Sequence, residues 1–116
     1  TIGADLSRID FSPQEIECGQ SSRPRLLTIF NETEARLVLD VNWRDRSALS
    51  VEPDGMIEMG PAGSGSDVAR FDVTILLPSE EPFSDVITFT ADGALVLEVP
   101  VTAPACGALL TIDPLV

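Results

Sequence analysis

Apolar and polar residues alternate with a period of two along most of the chain, which is the pattern of half-buried β-strands. Leu37, Leu39 and Val41, for example, fall on one face, and Val38 and Asp40 fall on the other. No segment of ten residues combines helical spacing with capping residues. The pattern predicts eight strands, over residues 6–11, 14–17, 24–30, 36–43, 47–52, 68–77, 84–90 and 94–102.

Turn-forming clusters separate these segments. Ala91-Asp92-Gly93 carries an Asp-Gly pair between two alternating runs, which is typical of a β-hairpin. Gly60 to Ser66 is the longest Gly- and Ser-rich stretch, and there we expect a flexible connection rather than a binding loop. Seven or eight short strands with turns every eight to twelve residues predict an all-β fold, an antiparallel β-sandwich.

Two residues within the predicted strands have particular positions. Trp43 ends a central strand, so we expect it to anchor the core between the two sheets. Pro100 has no backbone N–H and removes one donor from the ladder. The last strand is therefore expected to be an edge, or to face a bulge at Pro100.

Charge restricts the classes of partner. The 116 residues form one domain by length and carry nineteen acidic residues against seven Arg, a net charge of −12, with no Lys or His. Such a field repels phosphate backbones and anionic lipid, so nucleic acid and membrane surfaces are poor partners, whereas basic proteins fit it. No apolar run is long enough to span a membrane. The chain begins with Thr1, and we expect it to be a fragment of a longer protein.

The composition also argues against catalysis. Without His there is no Ser-His or Cys-His pair, and without Lys there is no Schiff base. The closest carboxylate pairs, Glu32 with Glu34 and Glu80 with Glu81, fall in predicted loops where solvated charge is expected. No calcium loop or phosphate-binding glycine pattern is present. We therefore expect no enzyme activity, no metal or other cofactor and no small-molecule substrate.

The order of short motifs along residues 6–103 resembles that of the immunoglobulin-like ASH domains of ciliary and centrosomal proteins. These belong to a wider group with major sperm protein and the PapD-like chaperones. The matching segments are Pro13 to Gly19, Leu27 to Asn31, Trp43, Pro53 to Ile57, Pro78, Phe83 to Ile87, and Val99 to Ala103. Cys18 stands where the family usually has Phe, Gly60-Pro61 inverts the customary Pro-Gly, and Pro82 replaces a Gly. The resemblance implies an immunoglobulin-like sandwich over 1–103.

The C-terminal residues repeat a motif from the start of the chain. Leu109 to Val116, "LLTIDPLV", echoes Leu6 to Pro13, "LSRIDFSP". We expect 104–116 to be a linker, or the first strand of a following repeat. The family topology further implies that the segment before Gly19 runs parallel to the last strand, which would bring Cys18 close to Cys106 and permit a disulfide. A cytosolic location would keep both thiols reduced.

The resemblance implies a non-catalytic protein-interaction and spacer module of a ciliary, flagellar or centrosomal scaffold. Its partners would be other proteins or neighbouring domains of the same chain. The alternative is a secreted or periplasmic bacterial domain with an adhesion or chaperone-like role, which suits the use of Arg without Lys and a disulfide. The candidate contact residues are Asn31, Glu32, Glu34, Arg36, Glu80, Glu81 and Pro100. Pro100 marks a strand edge that could accept a partner strand.

Asn31-Glu32-Thr33 is also an acceptor pattern for an N-linked glycan. Asn31 ends an apolar strand and precedes another, where its side chain can hydrogen-bond the backbone of a turn. We expect the turn role, although an exposed turn would suit a glycan as well.

Overall fold

The computed structural model describes residues 2–106, which form two β-sheets packed face to face. The strands of this part of the chain are β1 (Ile2–Ala4), β2 (Ile9–Asp10), β3 (Arg25–Asn31), β4 (Leu37–Asn42), β5 (Leu49–Glu52), β6 (Gly55–Met59), β7 (Val68–Ile75), β8 (Phe83–Ala91) and β9 (Ala94–Ala103). A 3-10 turn spans Pro13–Glu15. The predicted immunoglobulin-like β-sandwich is confirmed. Of the expected linker 104–116, only 104–106 lie within the described residues.

The strands are shared between a four-stranded sheet, β1-β3-β7-β5, and a five-stranded sheet, β2-β9-β8-β4-β6. Every pair is antiparallel except β2 with β9, where Ile9 lies beside Val101 and Asp10 beside Thr102 in parallel register. Parallel pairing of the N-terminal segment with the last strand is what the family topology implies. No helix among the described residues is long and apolar enough to cross a membrane.

The core lies between the sheets and is built from the inward-facing residues of alternating strands. Phe71 of β7 and Phe89 of β8 are both 0% exposed, and their rings meet edge to face with centroids 5.3 Å apart. Trp43 follows β4 directly and is buried, and its indole Nε1–H donates to the carbonyl oxygen of Leu49 at 2.8 Å. Since Leu49 opens β5, this bond joins the five-stranded sheet to the four-stranded one.

Several predicted elements differ from the structure. The predicted strand 14–17 is wrong, because Pro13 begins a 3-10 turn in which Glu15 N–H donates to Ser12 O at 3.0 Å. The predicted strand 6–11 shrinks to the two residues of β2. Strand β1 is too short for alternation to show, and β6 begins at Gly55, outside the predicted strands.

In the sheet order β9 lies between β2 and β8, so the prediction that the last strand is an edge is wrong for Val101 and Thr102, where β2 pairs with it. The bulge of this hairpin is at Phe89 and Thr90 rather than at Pro100. Phe11 N–H donates to Thr102 O at 2.9 Å, so the backbone N–H and C=O of Thr102 point toward β2 and away from β8. Two residues earlier, Pro100 has the same orientation, and its missing N–H therefore costs β8 no hydrogen bond. On this side of β9, no described strand pairs with Ala94–Val99.

The described chain enters and leaves at opposite ends of the sandwich. Ile2 pairs with Asn31, so the chain enters at the end formed by loops 31–36 and 60–67, here called the Asn31 end. Phe83 pairs with Ala103 at the other end, where Cys106 N–H donates to Ser79 O at 2.6 Å. This second end, here called the Cys106 end, also holds residues 12–23 and the β4–β5 connection.

Candidate protein-interaction surface

Asn31 organises the turn at the Asn31 end from a buried position. Its side chain is 1% exposed, and its Nδ2 donates to the carbonyl oxygens of Ala35 at 2.9 Å and Gly60 at 2.8 Å. Its Oδ1 accepts from Thr33 N–H at 3.0 Å. At 1% exposure Asn31 offers almost no surface to a partner, and its hydrogen bonds give it a role in the turn. A glycan on Nδ2 would displace these hydrogen bonds.

The rest of the predicted acidic contact loop is exposed. Glu32, Glu34 and Arg36 all lie on the surface, and Arg36 Nη1 is 3.4 Å from Glu58 Oε1 in an ion pair whose side chains are two-thirds exposed. An ion pair of this kind contributes little to stability. The Arg36 and Glu58 side chains can therefore rearrange toward a partner at small cost.

The loop 60–67 is held by hydrogen bonds, contrary to the expected flexible connection. Gly60 N–H donates to Ser66 O at 2.9 Å, and Gly63 N–H donates to Asp67 Oδ2 at 3.0 Å. A Cβ at Gly60 would meet the hydroxyls of Ser64 and Ser66, which would have to rotate away. The loop thus supports the turn of Asn31.

Glu80 and Glu81 are exposed at the Cys106 end, in the β7–β8 loop. Ser79 Oγ donates to Glu81 O at 2.8 Å and stabilises this loop. The two acidic loops are therefore at opposite ends of the molecule and do not form one surface. Neither carboxylate pair lies in an enclosed site, and no group of three or more metal-ligating side chains converges within residues 2–106.

Pro100 borders a groove on the outer face of the five-stranded sheet. The groove has a volume of about 600 Å³ and runs across β8 and β9 toward the end of β4. Its lining residues are Asn42, Trp43, Arg44, Ser84, Asp85, Val86, Thr88, Pro100, Val101 and Thr102. Val86 is 37% exposed and contributes apolar surface to the groove. The groove thus combines an apolar floor with hydroxyl and amide groups.

Asp85 shapes one wall of this groove, and sequence analysis did not single it out. Its carboxylate is buried and accepts backbone N–H groups from Asp45 at 2.9 Å and from Val86 at 2.7 Å. These bonds fix the β4–β5 connection and with it the position of Arg44. The Arg44 side chain is exposed at the rim of the groove.

Arg25 ties the N-terminal segment to β3, through a contact with a residue ten positions earlier that local sequence patterns do not reveal. Its Nε is 2.8 Å from Glu15 Oε2, and its Nη2 donates to Asp10 O at 2.8 Å. The guanidinium also lies over the ring of Phe11, 5.4 Å from its centroid. Hydrogen bonding by Arg25, with further help from Ser12 N–H, lowers the pKa of Glu15 to about 2.

Cys18 and Cys106 form a disulfide at the Cys106 end, with their Cα atoms 5.1 Å apart and a separation of 88 positions in sequence. Cys18 is exposed, whereas Cys106 is buried. The bond attaches the end of the N-terminal segment to the point where the described chain leaves the sandwich. Nearly the whole sandwich lies within the loop that it closes.

Comparison with known proteins finds the same fold in proteins of distant sequence. No family profile and no curated protein sequence matches the chain. Among solved structures, the seventh ASH/PapD-like domain of human CEP192 aligns with a TM-score of 0.68 and 11% identity, over 92% of this chain and 86% of that one. The Caenorhabditis elegans MSP family member WR4 aligns with a TM-score of 0.59 and 15% identity, over 90% and 97% of the two chains.

A bacterial chaperone has the same architecture in one part of its chain. The Escherichia coli chaperone DraB aligns with a TM-score of 0.64 and 10% identity, over 90% of this chain and 55% of that one. These likenesses show that the chain has the ASH/MSP/PapD-like fold.

Proposed function

We propose that this chain, which has the ASH/MSP/PapD-like fold, is a non-catalytic protein-interaction and spacer module of a multidomain protein. The observation that supports the spacer role is the placement of the two ends of the described chain, since Ile2 lies at the Asn31 end and Cys106 at the opposite end. Domains joined in this way follow one another in a row. The echo of "LSRID" in 109–113 supports a further repeat after this one.

The groove beside Pro100 is the surface that we propose for a partner protein. Its apolar floor gives buried area, and Arg44 at its rim offers a cation on a chain of net charge −12. The neighbouring stretch Ala94–Val99 of β9 has no described strand on its outer side, so an extended partner segment could add backbone hydrogen bonds there. The exposed acidic loop around Glu32 and Glu34 would then serve a separate contact at the Asn31 end.

Two valines on the same sheet face provide a matched test of the groove. Val86 lies in the groove and Val38 lies outside it, and they are 37% and 38% exposed. Val86→Gln and Val38→Gln each replace a half-exposed valine by the same neutral polar side chain. Proteins bound from an extract of the source organism are quantified by mass spectrometry. We expect V86Q to weaken capture about tenfold, equivalent to about 1.4 kcal/mol, while V38Q leaves it unchanged. Equal capture by both variants would remove the groove from the proposal.

The first setting that we propose is a ciliary, flagellar or centrosomal scaffold. The supporting observation is the fold that this chain shares with an ASH/PapD-like domain of human CEP192, at 11% identity. In this setting the neighbouring domains of the same chain and other scaffold proteins are the partners.

The disulfide favours a second setting, a secreted or periplasmic domain with an adhesion or chaperone-like role. Disulfides persist in oxidising compartments, whereas cytosolic reductants keep such thiols reduced. The fold is also that of the E. coli chaperone DraB. The Cys18–Cys106 bond is therefore the feature that separates the two settings.

The state of Cys18 and Cys106 in the cell decides between the two settings. Cells are lysed in N-ethylmaleimide, which alkylates thiols before they can oxidise, and the intact mass of the protein is measured. An unmodified mass that takes up two alkyl groups only after reduction would support the extracytoplasmic setting. Two alkyl groups without reduction would contradict it and favour the scaffold.

A further inference from the structure

We propose that the Cys18–Cys106 disulfide limits how far this domain can extend when its two ends are pulled apart. With the bond closed, the force does not pass through strands β3 to β9. The biological use of this limit rests on the proposed spacer role. The physical claim depends only on connectivity and strand order.

The path of force follows from the covalent connections. The segment 2–18 starts beside Asn31 at one end of the sandwich and reaches Cys18 at the other. There the disulfide passes directly to Cys106, where the described chain leaves the domain. When the two ends are pulled apart, tension therefore runs through 2–18 and across the sulfur–sulfur bond. Residues 19–105 form a closed loop that bears no tension once the segment 2–18 is taut.

The closed loop contains every described strand that has a neighbour on both sides. These strands are β3, β7, β9, β8 and β4. The loop also contains the edge strands β5 and β6. The two strands outside the loop, β1 and β2, each lie at the edge of a sheet and pair with one neighbour, β3 and β9 respectively. Detaching the loaded segment therefore leaves the pairing of the central strands intact.

The loaded segment is itself held firmly. Ile9, Phe11 and Ile16 place buried side chains in the core, and Glu15 pairs with Arg25 of β3. Strand β2 is parallel to β9, so pulling at opposite ends slides one strand along the other. Their hydrogen bonds then share the load instead of opening one after another. We expect the segment 2–18 to resist detachment before any extension begins.

The extensions expected with and without the bond differ strongly. Residues 2–18 have a fully extended length of about 60 Å, part of which already spans the folded sandwich. The chain from Cys18 to Cys106, a separation of 88 positions, adds about 300 Å of extended length when the bond is open. Opening the disulfide should therefore raise the extended length between residues 2 and 106 about sixfold.

The test is single-molecule force spectroscopy on the intact chain, held by a handle at each terminus. The same wild-type molecules are stretched before and after dithiothreitol. This reagent supplies two electrons and two protons to give two thiols and becomes a cyclic disulfide itself. We expect a short extension step before reduction and a step longer by about 300 Å afterwards. The variant Cys18→Ser with Cys106→Ser should show the long step under both conditions.

A long step in the untreated protein, or the same step before and after reduction, would overturn the inference. The comparison on wild-type molecules needs no variant, so a serine variant that does not fold leaves the test intact. The result is also independent of partner binding. If V86Q leaves capture unchanged while the step lengths before and after reduction differ, only the proposed interaction surface is overturned.

Discussion

At the scale of single residues, Asn31 shows how a polar side chain can be part of the core. Asn31→Asp preserves its shape but replaces the Nδ2 donor by an oxygen facing the carbonyls of Ala35 and Gly60. We expect the free energy of unfolding to fall by about 2–3 kcal/mol, because a buried charge then faces two acceptors. Chemical denaturation monitored by Trp43 fluorescence measures the change.

Asn42 offers the matched control for this substitution. It is exposed, and its Oδ1 accepts from Trp43 N–H at 3.0 Å and from Arg46 Nη2 at 2.8 Å. Because Asn42→Asp keeps both acceptor contacts, we expect little loss of stability. A similar loss in the two variants would contradict the proposed role of the Asn31 donor.

Glu15 gives the domain a pH-dependent contribution to stability. Its pKa is lowered in the folded state to about 2 from an ordinary 4.5, mainly by Arg25. The stabilisation is therefore fully present above pH 4.5 and is lost as the pH falls from 4.5 toward 2. Both side chains remain about a third exposed, so solvent screening limits the contribution to about 1–2 kcal/mol.

The variant Glu15→Gln isolates this contribution. We expect it to be less stable than wild type at pH 7 and to approach wild-type stability as the pH falls below 4.5, as measured by urea denaturation at each pH. Glu58→Gln, in the exposed pair with Arg36, should change stability little at any pH. A pH-independent difference for E15Q would show that the carboxylate acts through packing instead of charge.

Residue roles were only partly predictable from the sequence. The turn function of Asn31 followed from its position between two apolar runs, but its burial depends on Gly60, which is 29 residues away. The Arg25–Glu15 pair and the hydrogen bonds of Asp85 join segments 10 and 40 residues apart. Local patterns contain no information about such contacts.

At the scale of elements, the β4–β5 connection is one of the places where the two sheets are joined. Trp43→Phe removes the hydrogen bond to Leu49 O and leaves a smaller ring for Arg46, whose guanidinium lies 3.9 Å from the ring centroid. We expect a loss of about 1–3 kcal/mol in the free energy of unfolding, since the Leu49 carbonyl loses its buried partner. Arg46→Met removes the cation but keeps the indole hydrogen bond, and it should cost less. If thermal denaturation shows that R46M lowers the free energy of unfolding as much as W43F does, the indole hydrogen bond does not explain the loss in W43F.

Elements were predictable where alternation is long. Strands β7, β8 and β9 have eight to ten residues with regular inward positions, and their predicted bounds differ from the observed ones by two residues or fewer. The missed strands β1 and β6 have three and five residues, so neither offers enough repeats for a pattern. The 3-10 turn at Pro13 mimicked a strand because Ile16 is apolar and buried without belonging to a ladder.

At the scale of the whole molecule, the disulfide contributes to equilibrium stability as well as to mechanics. Closing a loop across 88 residues restricts the unfolded chain and should raise the free energy of unfolding by about 4–5 kcal/mol. Urea denaturation of oxidised and reduced wild type measures this difference. The variant C18S/C106S should match the reduced protein, and coinciding transitions of oxidised and reduced wild type would contradict the expectation.

The sandwich architecture followed from the number and spacing of alternating segments, but the edges of the sheets did not. Alternation defines two faces for each strand and leaves its neighbours open. Pro100 illustrates this. Strand β9 has a neighbour on both sides, yet it holds a proline because β2 pairs with only two of its residues. The parallel placement of β2 beside β9 came from the order of family motifs, since local pattern does not encode it.

The placement of entry and exit at opposite ends has a consequence for the distances that a tandem protein could set. Strand β9, with ten residues, measures about 34 Å along the sandwich, and each domain in a row would add roughly that step. The 116 residues would reach about 390 Å as an extended chain, so the folded repeat spans less than a tenth of the length of its extended chain. Separation between two attachment points would then be counted in whole domains, and gain or loss of one repeat would change it by a single defined increment.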